Sequence, residues 1–254
     1  MLGHPDFNGK AVLVTGAASG LGRQTAKTLA ELGAELCIVD LNAAGLEEAA
    51  GEIKALGAKV HTVALDLSQR ANCAVAVDQA VERMGGLNAL CNVAGIVAPA
   101  HFTELKPEVY DRVMAINLAA PFFLCQRAIP HLLARKGAIV NVASNAGFKG
   151  MAYMAVYAAS KAGVVSLTKS LAMEYAQSDL TVAAVAPAGM MTNLVRDIAF
   201  PEGSDPALIG RLSGVRAGLT SIEEVALMIA VLASERGHSY HGNCVLMDIG
   251  STVG

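Results

Sequence analysis

The stretch that decides the fold is Lys10-Ala-Val-Leu-Val-Thr-Gly-Ala-Ala-Ser-Gly-Leu-Gly22, close to the start of the chain. Its first half, Lys10 to Thr15, predicts a buried strand, and the segment from Gly20 to Gly33 predicts a helix. The three glycines at the turn between them have the spacing G-x3-G-x-G. Such a turn is tight and lets a ligand approach the backbone, and the helix N-terminus behind it favours a pyrophosphate. Glycine-rich turns also occur simply to reverse the chain, so the pattern alone leaves both explanations open.

The acidic residue Asp40 favours a nucleotide site. It ends the second predicted strand, Ala34 to Asp40, where a carboxylate can accept hydrogen bonds from both ribose hydroxyls of an adenosine. The alternative is an acidic residue at a helix N-terminus. Asp40 would repel a 2′-phosphate, and neither Ala17 to Leu21 nor Leu41-Asn42 contains Arg or Lys. The pattern therefore predicts NAD rather than NADP as the cofactor.

Strands and helices alternate along the rest of the chain. β-Branched apolar runs predict strands, and Ala-, Leu- and Glu-rich segments predict the helices between them. The strands are expected at Lys59–Leu65, Leu87–Asn92, Gly137–Ala143, Leu180–Ala186 and Val245–Asp248, and the helices at Ala43–Leu56, Gln69–Met84, Glu108–Arg135 (one helix or two, with bends at Pro121 and Pro130), Tyr153–Gln177 and Ser221–Ser234. The alternation, and strands without a polar face, predict an α/β fold: a doubly wound, mainly parallel sheet with helices on both faces.

The segment from Pro187 to Leu219 breaks this alternation. It is long and rich in Pro and Gly, and its first half is apolar at roughly helical spacing. Long insertions in compact domains are usually functional lids or disordered. Because no linker divides the chain, residues 1–254 are predicted to form one domain with a substrate lid at about 188–219.

The composition excludes several classes of protein. With 254 residues, 54% of them hydrophobic and 16% charged, the chain can bury a large core and is not expected to be disordered. A net charge of −3 argues against nucleic acid as a partner. The longest apolar runs, Val182–Met191 and Val225–Ala233, fall short of the roughly 18 residues of a membrane span. The start of the chain resembles no signal peptide, and the five cysteines form no CxxC pair, which predicts a reduced, cytoplasmic protein.

The residues Tyr157 and Lys161 carry the candidate chemistry. A spacing of four places phenol and ammonium one turn apart on one helix face. A neighbouring cation lowers a tyrosine pKa, so this phenol is expected to exchange a proton with an alcohol or carbonyl near neutral pH. Ser144 ends the fifth predicted strand, at the sheet edge where doubly wound folds bind ligands, and its hydroxyl could hold the substrate oxygen. Chance pairing of Tyr and Lys, and a simple turn role for Ser144, remain the alternatives.

The order and spacing of these motifs resemble those of the short-chain dehydrogenase/reductase family. The resemblance runs from about Lys10 to Gly250 and rests on Thr15-Gly-x3-Gly-x-Gly22, Asp66-Leu67, Asn92-Val-Ala-Gly95, Asn117, Ser144, Tyr157-x3-Lys161 and Pro187-x4-Thr192. It implies a single-domain, seven-stranded Rossmann fold, NAD(P)-dependent oxidoreduction and a homotetramer.

The resemblance also implies roles for individual residues. The catalytic set is Asn117 (a water in the proton relay), Ser144 (orientation of the substrate oxygen), Tyr157 (general acid/base) and Lys161 (the nicotinamide ribose and the Tyr157 pKa). The cofactor is expected at Gly16, Ser19, Gly20, Leu21, Gly22, Asp40, Leu41, Asp66, Leu67, Asn92, Ala94, Gly95, Tyr157, Lys161, Pro187, Ala188, Gly189 and Thr192. The chain departs from the family pattern at Val93 (usually Asn), Ala188 (usually Gly) and Ile249 (usually Gly), all outside the catalytic set.

The segments expected to face the nicotinamide are mostly apolar. The predicted substrate contacts are Ser144, Asn145, Ala146, Met151, Met154, Met190 and Met191, with Leu194, Val195, Ile198 and Phe200 in the lid. Such walls favour a hydrophobic alcohol or ketone, unless these residues only pack the lid onto the body or onto another subunit. Lys149, Arg196, Arg211 and Arg216 could instead meet a carboxylate or a coenzyme A phosphate, and no metal site is expected at His238 and His241.

These observations predict an NAD-dependent dehydrogenase of a hydrophobic secondary alcohol, or of its ketone in the reverse direction. Two alternatives stay open. One is a 3-oxoacyl thioester reductase of the same family, which would usually prefer NADPH. The other is a catalytically idle, NAD-binding scaffold protein.

Overall fold

Seven parallel strands form the centre of the protein in a computed structural model, which describes residues 5–192, 198–212 and 218–253. The sheet has the order β3-β2-β1-β4-β5-β6-β7. Its strands are β1 (Ala11–Thr15), β2 (Glu35–Asp40), β3 (Val60–Ala64), β4 (Ala89–Asn92), β5 (Ala138–Val142), β6 (Thr181–Pro187) and β7 (Cys244–Met247). This order is that of the Rossmann fold extended by one strand, so the predicted fold class is confirmed.

Helices cover both faces of the sheet. Those described are α1 (Gly20–Glu31), α2 (Ala43–Ala55), α3 (Arg70–Met84), α4 (Pro107–Met114), α5 (Ala120–Leu133), α6 (Ala155–Glu174), α7 (Pro206–Gly210) and α8 (Ile222–Ala233). One core cluster joins α1, α2 and α8 to the sheet, and the second joins α3 and α5 to the opposite face. Successive β1 residues alternate between them: Val12 and Val14 belong to the first cluster, Leu13 to the second. Both faces are therefore apolar, which explains the absence of a polar stripe in the strands.

The strand order places a crevice at one edge of the sheet. The chain leaves β1 toward β2 and β3 and then returns to the other side of β1 as β4. The connections from the carboxyl ends of β1 and β4 thus diverge, and doubly wound folds bind ligands at this switch point.

Residues Pro107–Leu133 form one continuous helical stretch, within two residues of the expected bounds Glu108–Arg135. It contains a π-helical turn at Ala115–Ala119, ahead of Pro121, and Pro130 lies inside α5. By length and composition alone, the stretch is long and apolar enough to cross a membrane. The unbroken apolar runs of the sequence do not indicate this. In the structure α5 packs against α3 in the second core cluster through Leu124, Cys125 and Leu132, and this packing accounts for its apolar composition.

The predicted lid contains a short helix that the sequence did not indicate. α7 is preceded by Asp205, whose Oδ1 accepts a hydrogen bond from the N–H of Ala207 at 2.8 Å. The lid residues 193–197, including Leu194, Val195 and Arg196, and residues 213–217, including Arg216, lie outside the described residues.

Candidate active site

A cavity of about 730 Å³ opens along the carboxyl edge of the sheet. The turn after β1, the ends of β2, β4, β5 and β6, and the start of α6 form its walls, and described parts of the lid cover it. Most of the predicted site residues line it: Gly16, Ser19, Gly20, Leu21, Gly22, Asp40, Leu41, Asp66, Leu67, Ala94, Gly95, Ser144, Asn145, Met151, Met154, Tyr157, Lys161, Pro187, Ala188, Gly189, Met190 and Thr192. Residues far apart in sequence thus meet in one place.

The glycine turn is built by close backbone packing. Gly16 has φ +70°, and a Cβ there would lie 2.8 Å from Ala94 Cα. A Cβ on Gly22 would lie 2.0 Å from the carbonyl oxygen of Gly16. No side chain can therefore be accepted at either position, and the turn lies directly against the loop after β4. Ser19, the N-cap residue of α1, makes no side-chain capping bond with the described residues, so its hydroxyl leaves the N–H groups of this helix end to a ligand.

Asp40 lies half-buried on the cavity wall beside the glycine turn. Its Oδ2 accepts a hydrogen bond from the N–H of Ala18 at 3.1 Å, and Oδ1 accepts one from the N–H of Asn42 at 3.0 Å. These bonds fix the carboxylate at the end of β2 and leave further lone pairs for a ligand. At the same end of the cavity, hydrogen bonds from Ser68 lower the pKa of Asp66. The walls here fit the adenosine and pyrophosphate of a dinucleotide.

The other end of the cavity brings Tyr157 and Lys161 together. Both project from α6, and Lys161 Nζ lies 5.8 Å from the centroid of the Tyr157 ring. Lys161 is only 4% exposed, and its Nζ donates a hydrogen bond to the carbonyl oxygen of Val142 at 2.8 Å. Burial lowers the pKa of this ammonium to about 8.

The sequence predicted a lowered pKa for Tyr157, and the structure corrects this to a raised one. Burial raises the pKa of the phenol, and its hydrogen bond with Ser144 opposes this only in part. Desolvation of the phenolate sets this direction. The Lys161 ammonium lies over the ring and is bonded to Val142. Tyr157 is therefore a phenol at neutral pH in this structure.

Ser144 begins a short 3₁₀ segment, Asn145–Gly147, at the end of β5. Its Oγ accepts a hydrogen bond from the N–H of Ala146 and donates one to Asn145 Oδ1, both at 3.1 Å. Ser144, predicted to end a strand, is thus held at the cavity wall by hydrogen bonds with its sequence neighbours.

Asn117 lies behind the wall, on the π-helical turn. Its carboxamide accepts a hydrogen bond from the Ile96 N–H and donates one to the Ile96 carbonyl, both at 2.9 Å, and it also donates to Ser160 Oγ at 3.1 Å. A Cβ on Gly95 would lie 3.4 Å from both Asn117 Oδ1 and Lys161 Nζ. Asn117 therefore anchors the loop after β4 beside Lys161; its expected hold on a relay water stays a prediction.

Three other predicted contacts do not lie on the cavity wall. The Asn92 side chain points into the core, where Nδ2 donates to Asn141 Oδ1 at 2.9 Å and lies 3.4 Å from Cys125 Sγ. Asn92 and Asn141 are register partners in β4 and β5, so their side chains lie on the same face of the sheet. Ala146 is buried behind Ser144, and Met191 is 54% exposed outside the cavity.

The cavity also has walls that the sequence analysis missed. They include Ile209 and Leu212 from the second half of the lid, Leu219 at its end, and Arg112 and Ile116 from the long helix. The i, i+3 spacing of Ile209 and Leu212 was a signal that could have found them. Ile249, noted as a departure, also lines the cavity and has φ +48°, a conformation that β-branched residues rarely adopt.

The described parts of the lid are fastened by polar contacts. The Tyr153 hydroxyl accepts a hydrogen bond from the N–H of Asp205 at 2.8 Å, and its ring meets that of Phe200 edge-on at 6.3 Å. His101 Nε2 bonds to the carbonyl oxygen of Glu202 at 2.8 Å. The described lid residues 200–205 are thus held by the loop after β4 and the segment before α6.

Lys149 and His241, whose roles the sequence left open, have hydrogen-bond partners within the fold. Lys149 Nζ donates to the carbonyl oxygens of Arg211 and Ser251, at 3.1 and 3.0 Å, and Lys149 does not line the cavity. His241 uses both ring nitrogens, toward the N–H of Val182 and the carbonyl oxygen of Ala172. Within the described ranges, no group of three or more His, Cys, Asp and Glu could hold a metal ion.

Comparison with known proteins gives consistent matches. Residues 10–202 match the family model described as short chain dehydrogenase. The chain is 35% identical over 244 residues to a cyclohexanol dehydrogenase of Acinetobacter sp. strain SE19. The aligned residues cover 95% of this chain and 94% of that protein. The chain is 34% identical over 248 residues to a 3-oxoacyl-[acyl-carrier-protein] reductase of Thermotoga maritima, which covers 97% and 99%. A crystal structure of carveol dehydrogenase from Mycobacterium avium in complex with NAD has a TM-score of 0.88 at 25% identity, covering 98% of this chain and 100% of that one.

Proposed function

The chain belongs to the short-chain dehydrogenase family of oxidoreductases, and we propose that it is an NAD-dependent dehydrogenase that interconverts a neutral cyclic secondary alcohol and its ketone. The observation that carries this proposal is the division of the cavity. One end has a glycine turn and a carboxylate, and the other has Ser144 and Tyr157 among apolar walls.

The residues of the first end would hold the cofactor, which supplies the hydride acceptor when bound. The uncapped N-terminus of α1 would face the pyrophosphate, and Asp40 would accept hydrogen bonds from the adenosine ribose. The same carboxylate disfavours a 2′-phosphate, and no Lys or Arg stands in Ala17–Leu21 or Leu41-Asn42 to offset that repulsion. These features support NAD over NADP.

Tyr157 would move the proton at the other end. In oxidation the phenolate takes the hydroxyl proton of the alcohol as hydride leaves the carbinol carbon, and in reduction the phenol returns it. Ser144 holds the substrate oxygen. While it is protonated, the Lys161 ammonium favours the phenolate, although burial sets the resting pKa of Tyr157 above its ordinary value. The rate of alcohol oxidation therefore falls as the pH is lowered, because a smaller fraction of Tyr157 is present as phenolate.

The substrate end of the wall supports a neutral, compact substrate. Around Ser144 and Tyr157 the described lining residues are apolar apart from Asn145 and Lys161: Ile96, Val97, Met151, Met154, Met190, Ile198, Phe200, Ile209, Leu212, Leu219 and Ile249. Lys161 is bonded to Val142, and Lys149 is engaged behind the wall. Arg112, another cation that lines the cavity, helps to lower the pKa of Asp66 at the cofactor end. Each of these three described cations thus has a partner other than a substrate carboxylate. The similarity to a cyclohexanol dehydrogenase supports a ring-shaped alcohol.

The second candidate function is reduction of a 3-oxoacyl thioester. The similarity to the Thermotoga maritima reductase favours it, but the carboxylate of Asp40 opposes the NADPH that such reductases usually take. An idle NAD-binding scaffold is disfavoured because Ser144, Tyr157 and Lys161 all meet in the cavity. The homotetramer, the single domain and the cytoplasmic location stay predictions.

A substrate panel tests the proposal. Purified protein is assayed for NADH formation with cyclohexanol, 4-hydroxycyclohexanecarboxylate and a 3-hydroxybutyryl thioester, each with NAD and with NADP. We expect the highest kcat/KM for cyclohexanol with NAD, and a penalty for the added carboxylate because Lys161, Lys149 and Arg112 already have other partners. Highest activity on the thioester with NADP would support the second candidate, and bound NADH without turnover of any alcohol would support the scaffold.

A further inference from the structure

A chain of buried hydrogen bonds leads from Ser144 to the turn that follows β7. We propose that Ser251, held by Asp248, is a positioning residue that fixes, through Asn145, the place of the Ser144 hydroxyl at the cavity wall. The part of this proposal that concerns turnover rests on the proposed function.

Three contacts make up the chain. Ser144 Oγ lies 3.1 Å from Asn145 Oδ1, Asn145 Nδ2 lies 2.7 Å from Ser251 Oγ, and Ser251 Oγ lies 3.1 Å from Asp248 Oδ2. The four residues are 6%, 3%, 5% and 8% exposed in that order. Water therefore competes little for these bonds, and an unpaired group in the chain would be costly.

The carboxylate of Asp248 fixes the direction of every donor in the chain. Burial alone would raise the pKa of Asp248, but hydrogen bonds from Thr252, Gly250 and Ser251 bring it below its ordinary value. The group is thus ionised at neutral pH and can only accept. The single hydroxyl proton of Ser251 goes to Asp248, so Ser251 Oγ accepts from the Asn145 amide nitrogen. The amide oxygen of Asn145 must then face Ser144.

This arrangement fixes Ser144 Oγ at the cavity wall. Its proton has two acceptors among the described residues, Asn145 Oδ1 at 3.1 Å and the carbonyl oxygen of Pro187 at 3.5 Å, and one oxygen lone pair accepts from the N–H of Ala146 at 3.1 Å. When a substrate oxygen occupies the cavity, the same hydroxyl can turn its proton to that oxygen, as the proposed function requires. An Asn145 side chain released by Ser251 could rotate away and leave Ser144 without this anchor.

A double-mutant cycle tests the proposal. Ser251→Ala removes the acceptor of Asn145 Nδ2, and we expect kcat for alcohol oxidation to fall about 3- to 10-fold, the range of one neutral hydrogen bond, with KM for NAD within about twofold. Asn145→Ala should lower kcat at least as much. The double variant should be no slower than Asn145→Ala, because Ser251 acts through Asn145. Val253→Ala, in the same turn with an 83% exposed side chain, is the matched control and should behave as wild type.

A crystal structure of Ser251→Ala provides a readout that does not depend on activity. We expect the Asn145 side chain to leave hydrogen-bonding distance of Ser144 while the turn keeps its backbone. Wild-type kcat in Ser251→Ala, multiplying effects in the double variant, or an unmoved Asn145 would each overturn the proposal. If the wild type oxidises no cyclic alcohol, the proposed function fails, whereas the position of Asn145 in the variant still decides the positioning role.

Discussion

The substitution Asp40→Ala should invert or erase the cofactor preference. In the wild type the carboxylate can accept charge-assisted hydrogen bonds from the adenosine ribose, each worth about 1.5–3 kcal/mol. Because about 1.4 kcal/mol is a factor of ten, losing one of them lowers kcat/KM with NAD roughly 10- to 100-fold. A phosphate on the ribose would replace attraction with repulsion, so the wild type should favour NAD over NADP by at least about 100-fold.

The structure adds a reason for NADP activity to rise. Asp40 now accepts the N–H groups of Ala18 and Asn42, at 3.1 and 3.0 Å. Asp40→Ala removes the anion and frees both N–H groups, of which that of Asn42 belongs to a residue on the cavity wall and can meet a phosphate. Leu41 is 61% exposed and lines the same wall, so adding Leu41→Arg should raise NADP activity further through a bidentate contact.

Steady-state kinetics with both cofactors on wild type, Asp40→Ala and the double variant measure this. Asp66→Asn is the matched control, because it removes a charge from the same end of the cavity and should affect both cofactors alike. A wild type that prefers NADP, or an Asp40→Ala ratio equal to that of the wild type, would refute the role of Asp40.

Three further predictions concern the lid, the buried cation and the strained turn. Tyr153→Phe removes the acceptor of the Asp205 N–H, so KM for the alcohol should rise about 3- to 10-fold, the size of one hydrogen bond, while the Kd of NADH measured by fluorescence stays within about twofold. Lys161→Met removes an ammonium whose pKa is lowered by burial to about 8. The free-energy cost of burying this charge is fully present below about pH 8 and fades toward about pH 10. The variant should therefore have a higher Tm than wild type at neutral pH and lose most of that advantage in the alkaline range. Ile249→Gly removes a wall side chain held at φ +48°, and kcat/KM should shift toward bulkier ring ketones relative to cyclohexanone; an unchanged ratio would remove Ile249 from the substrate wall.

Local patterns were enough to predict the sheet and most of the residues that meet at the glycine-turn end of the cavity. Gly22 is required by a contact that the turn itself creates, with the carbonyl oxygen of Gly16, and Gly16 by its φ of +70°. Asp40 follows from the end of one strand. Tyr157 and Lys161 share a helix face because of their spacing. Each of these features depends on neighbours in sequence or on the rule that parallel strands end at one edge.

Features set by distant partners could not be predicted in this way. The direction of Asn92 depends on its register with Asn141 in the next strand. The pKa of Tyr157 depends on how deeply the phenol is buried and on its hydrogen bond with Ser144. The contact between Asn145 and Ser251 joins residues 106 positions apart, and a sequence contains no local signal for it.

The most direct test of the central claim is the initial rate of NADH formation from NAD and cyclohexanol by the wild type and Tyr157→Phe, side by side. Tyr110→Phe, at a tyrosine 46% exposed and outside the cavity, is the matched control. The account predicts turnover by the wild type and by the control, and a kcat lower by at least about 10²-fold in Tyr157→Phe with NADH still bound. Turnover by Tyr157→Phe within about threefold of the wild type would contradict it.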